Sequence, residues 1–168
     1  MTRPIKCTGA FGFCLFLAVH SLAFAEQSPS KTFVPVEYAS YHQLVFADED
    51  VAILNNLYPP KGDSGYHTHY RDLFAVIIQP SQSSGQALGK PLTAAPLYPA
   101  GTAVYSPVGA EPRTHRIING DKSIFQIIVV ELHRPKPLGI AASSRDAAPQ
   151  YVQISDNPRM RAWRLVLE

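Results

Sequence analysis

From Tyr41 onward the chain alternates short apolar runs with polar turn clusters. The runs cover residues 43–46, 51–58, 66–78, 102–105, 114–118, 124–132 and 162–167, and Val, Ile, Leu, Phe and Tyr dominate them. That is the composition of half-buried strands. Between them stand Asp48-Glu49-Asp50, Pro59-Pro60-Lys61-Gly62, Pro99-Ala100-Gly101, Pro107-Val108-Gly109 and Asn119-Gly120-Asp121. Each cluster has a turn chemistry: Gly supplies positive φ, Pro fixes φ, and Asn or Asp bonds its own backbone. No window holds a helical period between capping residues. The pattern therefore predicts an all-β domain over residues 41–134, preceded by an N-terminal extension at 26–40. Residues 80–91, PSQSSGQALGKP, interrupt the apolar rhythm and read as an exposed insertion loop. Residues 135–168 read as a Pro/Ala/Ser-rich, surface-wrapping segment followed by a C-terminal strand that pairs at a sheet edge.

Residues 1–25 follow a different rule. A basic start, MTRPIKC, leads into an apolar segment from Ala10 to Phe24 and a small-x-small exit, Ala23-Phe24-Ala25. This is the form of a cleavable secretory signal, too short to span a bilayer as a helix. The expected mature chain begins at Glu26 and is periplasmic or secreted, with no membrane association after cleavage. Cys7 and Cys14 both fall in the leader, so the exported domain would be held by its core or a metal rather than by disulfides. Of the 15 basic and 13 acidic residues, Arg3 and Lys6 also leave with the leader, giving 13 against 13 and a net charge of zero. A neutral domain without a basic run offers no electrostatic footprint for nucleic acid. The remaining 143 residues (168 minus 25) suit one domain large enough to enclose a pocket.

Candidate chemistry gathers in SGYHTHYRD, Ser64 to Asp72. Residues two apart on a strand share a face, so His67 and His69 project side by side and can occupy two neighbouring positions on a metal ion. A His-x-His pair is equally compatible with the polar end of an ordinary strand. Arg71 has the same parity and would point inward beside the pair. There it would position a carboxylate-bearing ligand, or pair internally with Glu131 or Asp72. Tyr66, Thr68 and Tyr70 face the other way. His42 and His133 have no motif around them and read as surface or strand-end histidines.

A third histidine, His115, lies in PAGTAVYSPVGAEPRTHRIING. Gly101 is followed after five residues by Pro107-Val108-Gly109, and His115 after three by Asn119. This resembles the second signature of the cupin family, and Gly62 or Gly65 with His67 and His69 resembles the start of the first. The resemblance covers roughly residues 43–132. It implies a small jelly-roll (double-stranded β-helix) barrel of two antiparallel sheets around a divalent metal. His67, His69 and His115 match the family's ligating histidines, Asn119 a structural turn residue, and Pro107 and Gly109 the tight turn before the second motif strand.

Two departures qualify the match. Leu73 and Phe74 occupy the positions where the family's carboxylate ligand would fall. Asp72, one residue earlier, is a candidate fourth ligand only if a bulge reverses its face. The spacer between Gly109 and His115 is also longer than the family's. Three neutral imidazoles suit Fe, Mn, Cu, Ni or Zn and leave positions open for a substrate, water or dioxygen. The expected function is a small-molecule dioxygenase or related metalloenzyme, with Arg71 or Tyr105 positioning the substrate. The alternative is a non-catalytic periplasmic module that binds or senses a small ligand or metal. A small, anionic ligand is the expected partner, and a homodimer is compatible with the fold the resemblance implies.

Overall fold

The computed structural model describes residues 32–134 and 149–167. The expected leader and residues 135–148 lie outside the described residues. In chain order the strands are β1 (Val34–Pro35), β2 (His42–Ala47), β3 (Val51–Tyr58), β4 (His67–His69), β5 (Leu73–Gln79), β6 (Ser83–Ala87), β7 (Thr93–Ala94), β8 (Ala103–Ser106), β9 (Arg113–Asn119), β10 (Phe125–Leu132), β11 (Tyr151–Asn157) and β12 (Met160–Leu165), with a single 3₁₀ turn at Val36–Tyr38. No helix among the described residues is long and apolar enough to cross a membrane.

The strands form two five-stranded sheets, ordered β1-β4-β9-β6-β7 and β2-β3-β10-β5-β8. Pairing is antiparallel throughout, apart from the parallel contact of β1 with β4. The all-β expectation holds, in a jelly-roll-like form. The two sheets lie as separate hydrogen-bonded layers, since no described strand hydrogen-bonds one sheet to the other.

Period-two alternation decides which side chains fill the space between the sheets. On β10 the inward row is Phe125, Ile127, Val129 and Glu131; on β3 it is Ala52, Leu54, Asn56 and Tyr58. Leu54, Tyr58, Leu73, Ile77, Val108, Phe125, Ile127 and Val129 form one buried cluster, with Ala75 and Ile117 against it. Fully burying such side chains is worth about 1.5–3 kcal/mol each. Glu131 and Asn56 stand out as polar members of otherwise apolar rows, 1% and 2% exposed.

The turns at Asp48 and Asn119 close through the side-chain bonds read from the sequence, whereas at Pro59–Gly62 the positive φ falls on Lys61 and not on the glycine. Asp48 Oδ1 accepts the backbone N–H groups of Asp50 and Val51, joining β2 to β3. The side-chain amide of Asn119 donates to the carbonyls of Tyr58, Pro59 and Ser123, while its Oδ1 accepts from the Ser81 hydroxyl. One fully buried residue thus ties the ends of β3 and β9 together, the structural role that the resemblance gave it.

Three expectations are corrected, and the N-terminal extension gains a place in the sheets. The run at 66–78 is two strands, β4 and β5, in different sheets, with the chain crossing between them at Tyr70–Asp72. Residues 80–91 are not an insertion loop: β6 lies within the first sheet, paired from Ser83↔Asn119 to Ala87↔His115. Its Ser, Gly and Gln composition concealed a strand held by backbone bonds between β9 and β7. The N-terminal extension contributes β1 to the first sheet, and Val36 beside it is buried. The C-terminal strand, β12, pairs with β11 in a separate hairpin and not at a sheet edge.

Candidate metal centre

The pairing of β4 with β9 builds the site. Its register is His67↔His115, Thr68↔Thr114 and His69↔Arg113. By strand parity His67, His69, His115 and Arg113 form a square on the inward face, with directly opposite Cβ atoms about 4.5–5.5 Å apart. The Thr68 and Thr114 hydroxyls, 2.8 Å apart, bond to each other on the other face.

The three histidine rings meet edge-on, with centroids 5.1 Å (His67–His69), 4.7 Å (His67–His115) and 5.1 Å (His69–His115) apart. Among the described residues they are the group of potential ligands able to converge on one ion, with ligand atoms all within 4.8 Å of one another. His67 points Nδ1 at the Gly65 carbonyl, 3.1 Å away, and its Nε2 is buried without a partner. Nε2 of His69 lies 3.1 Å from Nε2 of His115. Two nitrogens each about 2.1 Å from one ion would be about 3.0 Å apart at a right angle and about 3.4 Å at the tetrahedral angle. The spacing and the orphaned Nε2 both fit a bound ion.

Electrostatics favour the same state. Burial lowers His67 to about 4, helped by the proximity of His69; burial, then Arg113, lowers His69 to about 4; burial, then His69 and His67, lowers His115 to about 2. All three are neutral near pH 7 and so offer lone pairs without first losing a proton.

Two neighbours that the sequence did not assign to this site complete it. Glu131 brings Oε1 to 3.5 Å from His69 Nδ1. That is too loose for a hydrogen bond, and both carboxylate oxygens lack one. Burial is the main cause that raises Glu131, to about 7. A carboxylate behind a ligating imidazole fixes its tautomer and orientation. His42, expected at the surface or a strand end, packs its ring against His67 at 4.6 Å. Its Nδ1 lies 2.9 Å from the Ser40 carbonyl and its Nε2 3.2 Å from the Tyr58 hydroxyl. Both nitrogens are thereby engaged, so His42 is a wall of the site. His133 does behave as a strand-end residue, with Nδ1 on the Asp48 carbonyl.

The other candidates lie elsewhere. β4 ends at His69, so parity does not carry Arg71 inward. Its guanidinium is 43% exposed and reaches Glu37 at 3.3 Å and Glu131 at 3.7 Å, the internal pairing that stood as the alternative. Asp72 accepts from the Gly109 N–H at 2.7 Å, the Tyr105 hydroxyl at 3.0 Å and Arg159 Nε at 2.8 Å. Asp72 and Tyr105 are therefore engaged with each other and not with the histidines. A Cβ on Gly109 would sit 3.0 Å from Asp72 Oδ1, which explains the glycine at that turn.

A cavity of about 100 Å³ opens between the sheets at the centre, lined by His69, His115, Arg113, Asn56, Ser106 and the apolar Leu73, Ala75, Ile117, Ile127 and Val129. A second, of about 210 Å³, shares His115, Ile117 and Ile127 with it. Arg113 was the overlooked residue. The signal was present in the sequence, since Arg113 and His115 are two apart and share a face.

No protein-family model and no curated protein matches the chain. Solved structures similar to it include a cupin domain from Bordetella pertussis (TM-score 0.49, 20% identity, covering 60% of this chain and 97% of that one). Another is an RmlC-like cupin with a double-stranded β-helix fold from Methanocaldococcus jannaschii (0.42, 19%, 62% and 83%). A third is the DMSP lyase DddQ from Ruegeria pomeroyi (0.39, 18%, 52% and 40%). These are distant matches, and the fold stands on the strand order and register above.

Proposed function

We propose that this chain is an exported, cupin-type protein that holds one divalent transition metal through His67, His69 and His115 and acts on a small molecule bound beside it. The observation that carries this reading is the inward-facing square of β4 and β9, in which three neutral imidazoles converge with their Nε2 atoms unpaired or paired only with each other. Buried polar atoms are almost always satisfied, so such a cluster needs a partner that is not protein.

A metal bound there would supply Lewis acidity, or a place for dioxygen to react with a bound substrate. The chain's own residues supply the rest. The Gly65 carbonyl meets Nδ1 of His67 and holds that ring with Nε2 turned to the centre, and Glu131 stands 3.5 Å behind Nδ1 of His69. Leu73, Ile127 and Val129 keep the cavity wall dry, which strengthens every polar contact inside it. The leader features of residues 1–25 support export.

The reading is tested on protein purified from the exported fraction without chelator. Elemental analysis should return about one equivalent of a transition metal per chain, at a site that chelation empties. Oxygen uptake with small organic acids, phenols and thiols then separates an oxygenase from a Lewis-acid enzyme. Ligand binding without turnover on any of them would assign the site to a non-catalytic binding module. Less than a tenth of an equivalent of metal, with no gain on adding Fe, Mn, Cu, Ni or Zn, would sink the metal reading.

A further inference from the structure

Arg113 is the outlier among the arginines with described contacts. Arg71, Arg116, Arg134, Arg159 and Arg161 each face a carboxylate in the protein. Arg113 faces none among the described residues, and its Nε is sealed from solvent without a hydrogen-bond partner. Arg113 as a whole is half-buried, but a sealed N–H without an acceptor is costly unless a ligand completes it, and an anion suits a guanidinium best. Its position says where the anion would sit. Arg113 stands directly across the strand pair from His69, two residues before His115, and lines the same cavity of about 100 Å³.

We propose that Arg113 is the anion-recognition residue of the metal centre and that its ligand is a small carboxylic acid with a short apolar body. The guanidinium presents parallel N–H donors that match a carboxylate in bidentate fashion. The cavity holds about three water volumes, at about 30 Å³ each, so the part of the ligand beside the histidines is the size of acetate or propionate. Leu73, Ala75, Ile127 and Val129 make the facing wall apolar, while Asn56, whose Oδ1 is buried and unpaired, adds one polar contact. The adjoining space of about 210 Å³ has room for a longer chain past His115 and Ile117. This inference deepens the proposed function, since it names the substrate class of that site.

The test is a calorimetric titration of the purified, metal-bearing full chain with acetate, propionate, butyrate and hexanoate. The matching neutral amides and inorganic phosphate are titrated in parallel. At least one acid should bind saturably, with its amide weaker by about 10-fold or more, the loss expected when a charged hydrogen-bond pair is replaced by a neutral one. Arg113→Met should weaken the acid by about 10-fold or more with the metal content unchanged, and Arg113→Lys should fall between. Acids and amides binding alike, no saturable acid binding to the wild-type chain, phosphate binding more tightly than every acid, or an Arg113→Met protein that binds like wild type would each overturn the proposal. A carboxylate held by the metal alone would also exceed its amide, so the Arg113 variants decide the assignment, and Arg113→Lys, which keeps the charge and most of the stem, serves if Arg113→Met fails to fold. Arg113-dependent acid binding by a chain that takes up no metal would sink the metal reading and leave Arg113. Stoichiometric metal without Arg113-dependent binding would sink this inference alone.

Discussion

Two polar clusters flank the same turn of chain, and they are finished in opposite ways. Asp72 has its carboxylate filled from three sides by the Gly109 N–H, the Tyr105 hydroxyl and Arg159. Arg159 in turn donates to the carbonyls of Leu132 and Arg134. A few residues back, the histidine square and Glu131 leave His67 Nε2, both Glu131 oxygens and Arg113 Nε without hydrogen bonds, although all are buried. A completed network contributes stability, whereas an incomplete one costs it unless something absent from the polypeptide fills it. Asp72 is in this sense a fastening between the sheet and the C-terminal hairpin, and the histidines are a cluster compatible with a metal ion. The lesson for reading sites is that a carboxylate near a His-x-His pair is judged by what already satisfies it, not by how near it lies in sequence.

The contrast can be broken most sharply from the histidine side. His67→Ala or His115→Ala should weaken metal retention by about 1,000-fold, or about 4 kcal/mol, as measured by competition with a chromogenic chelator, while the protein still folds. Wild-type affinity in both variants would mean that the square is not the site.

The Asp72 side should give the opposite result. Asp72→Ala strands the Gly109 N–H and Arg159, so urea unfolding should show a loss of about 2 kcal/mol with metal stoichiometry intact. Loss of metal without loss of stability would turn the two roles around.

The remaining effect is in pH. His42, His67, His69 and His115 are lowered to about 3, 4, 4 and 2, chiefly by burial. The unfolded chain holds them near 6.5, so between these values it binds protons that the folded chain refuses. Stability of the chelator-treated protein is then full above about 6.5 and falls as the pH drops towards 4. Glu131, raised to about 7, opposes this: its contribution is present below its ordinary value and lost as pH rises through about 7. Four groups outweigh one, so the melting temperature of the metal-free protein should fall by several degrees from pH 7 to pH 5. Asp72 is protected from this range. Burial works against its ionisation, but the Gly109 N–H, Tyr105 and Arg159 together hold it below its ordinary value, so its contribution is lost only at still lower pH. A flat melting curve between pH 7 and pH 5 would contradict the depressed histidines.

Much of this was legible in the residues. The apolar runs placed β2, β3, β8, β9 and β10 within a few positions, because alternation over a half-buried face is a local property. The turn chemistry of Asp48 and Asn119 was local as well. β6 was not legible: Ser83, Ser84 and Gly85 carry no strand signal, and only pairing with β9 makes them one. Arg71 was misplaced because parity holds only while a strand continues, and β4 stops after three residues.

What the sequence determined by itself was therefore the strand rhythm, the turns and the three histidines, each set by spacing along a single strand or by the order of motifs. Only the tertiary structure decided their company: Glu131 behind His69, His42 against His67, Arg113 at the cavity and Asp72 withdrawn to Arg159. The physical reason is register. Which residue faces which across two strands or two sheets depends on how distant segments align, and a shift of one position would have turned every one of these side chains to the other face.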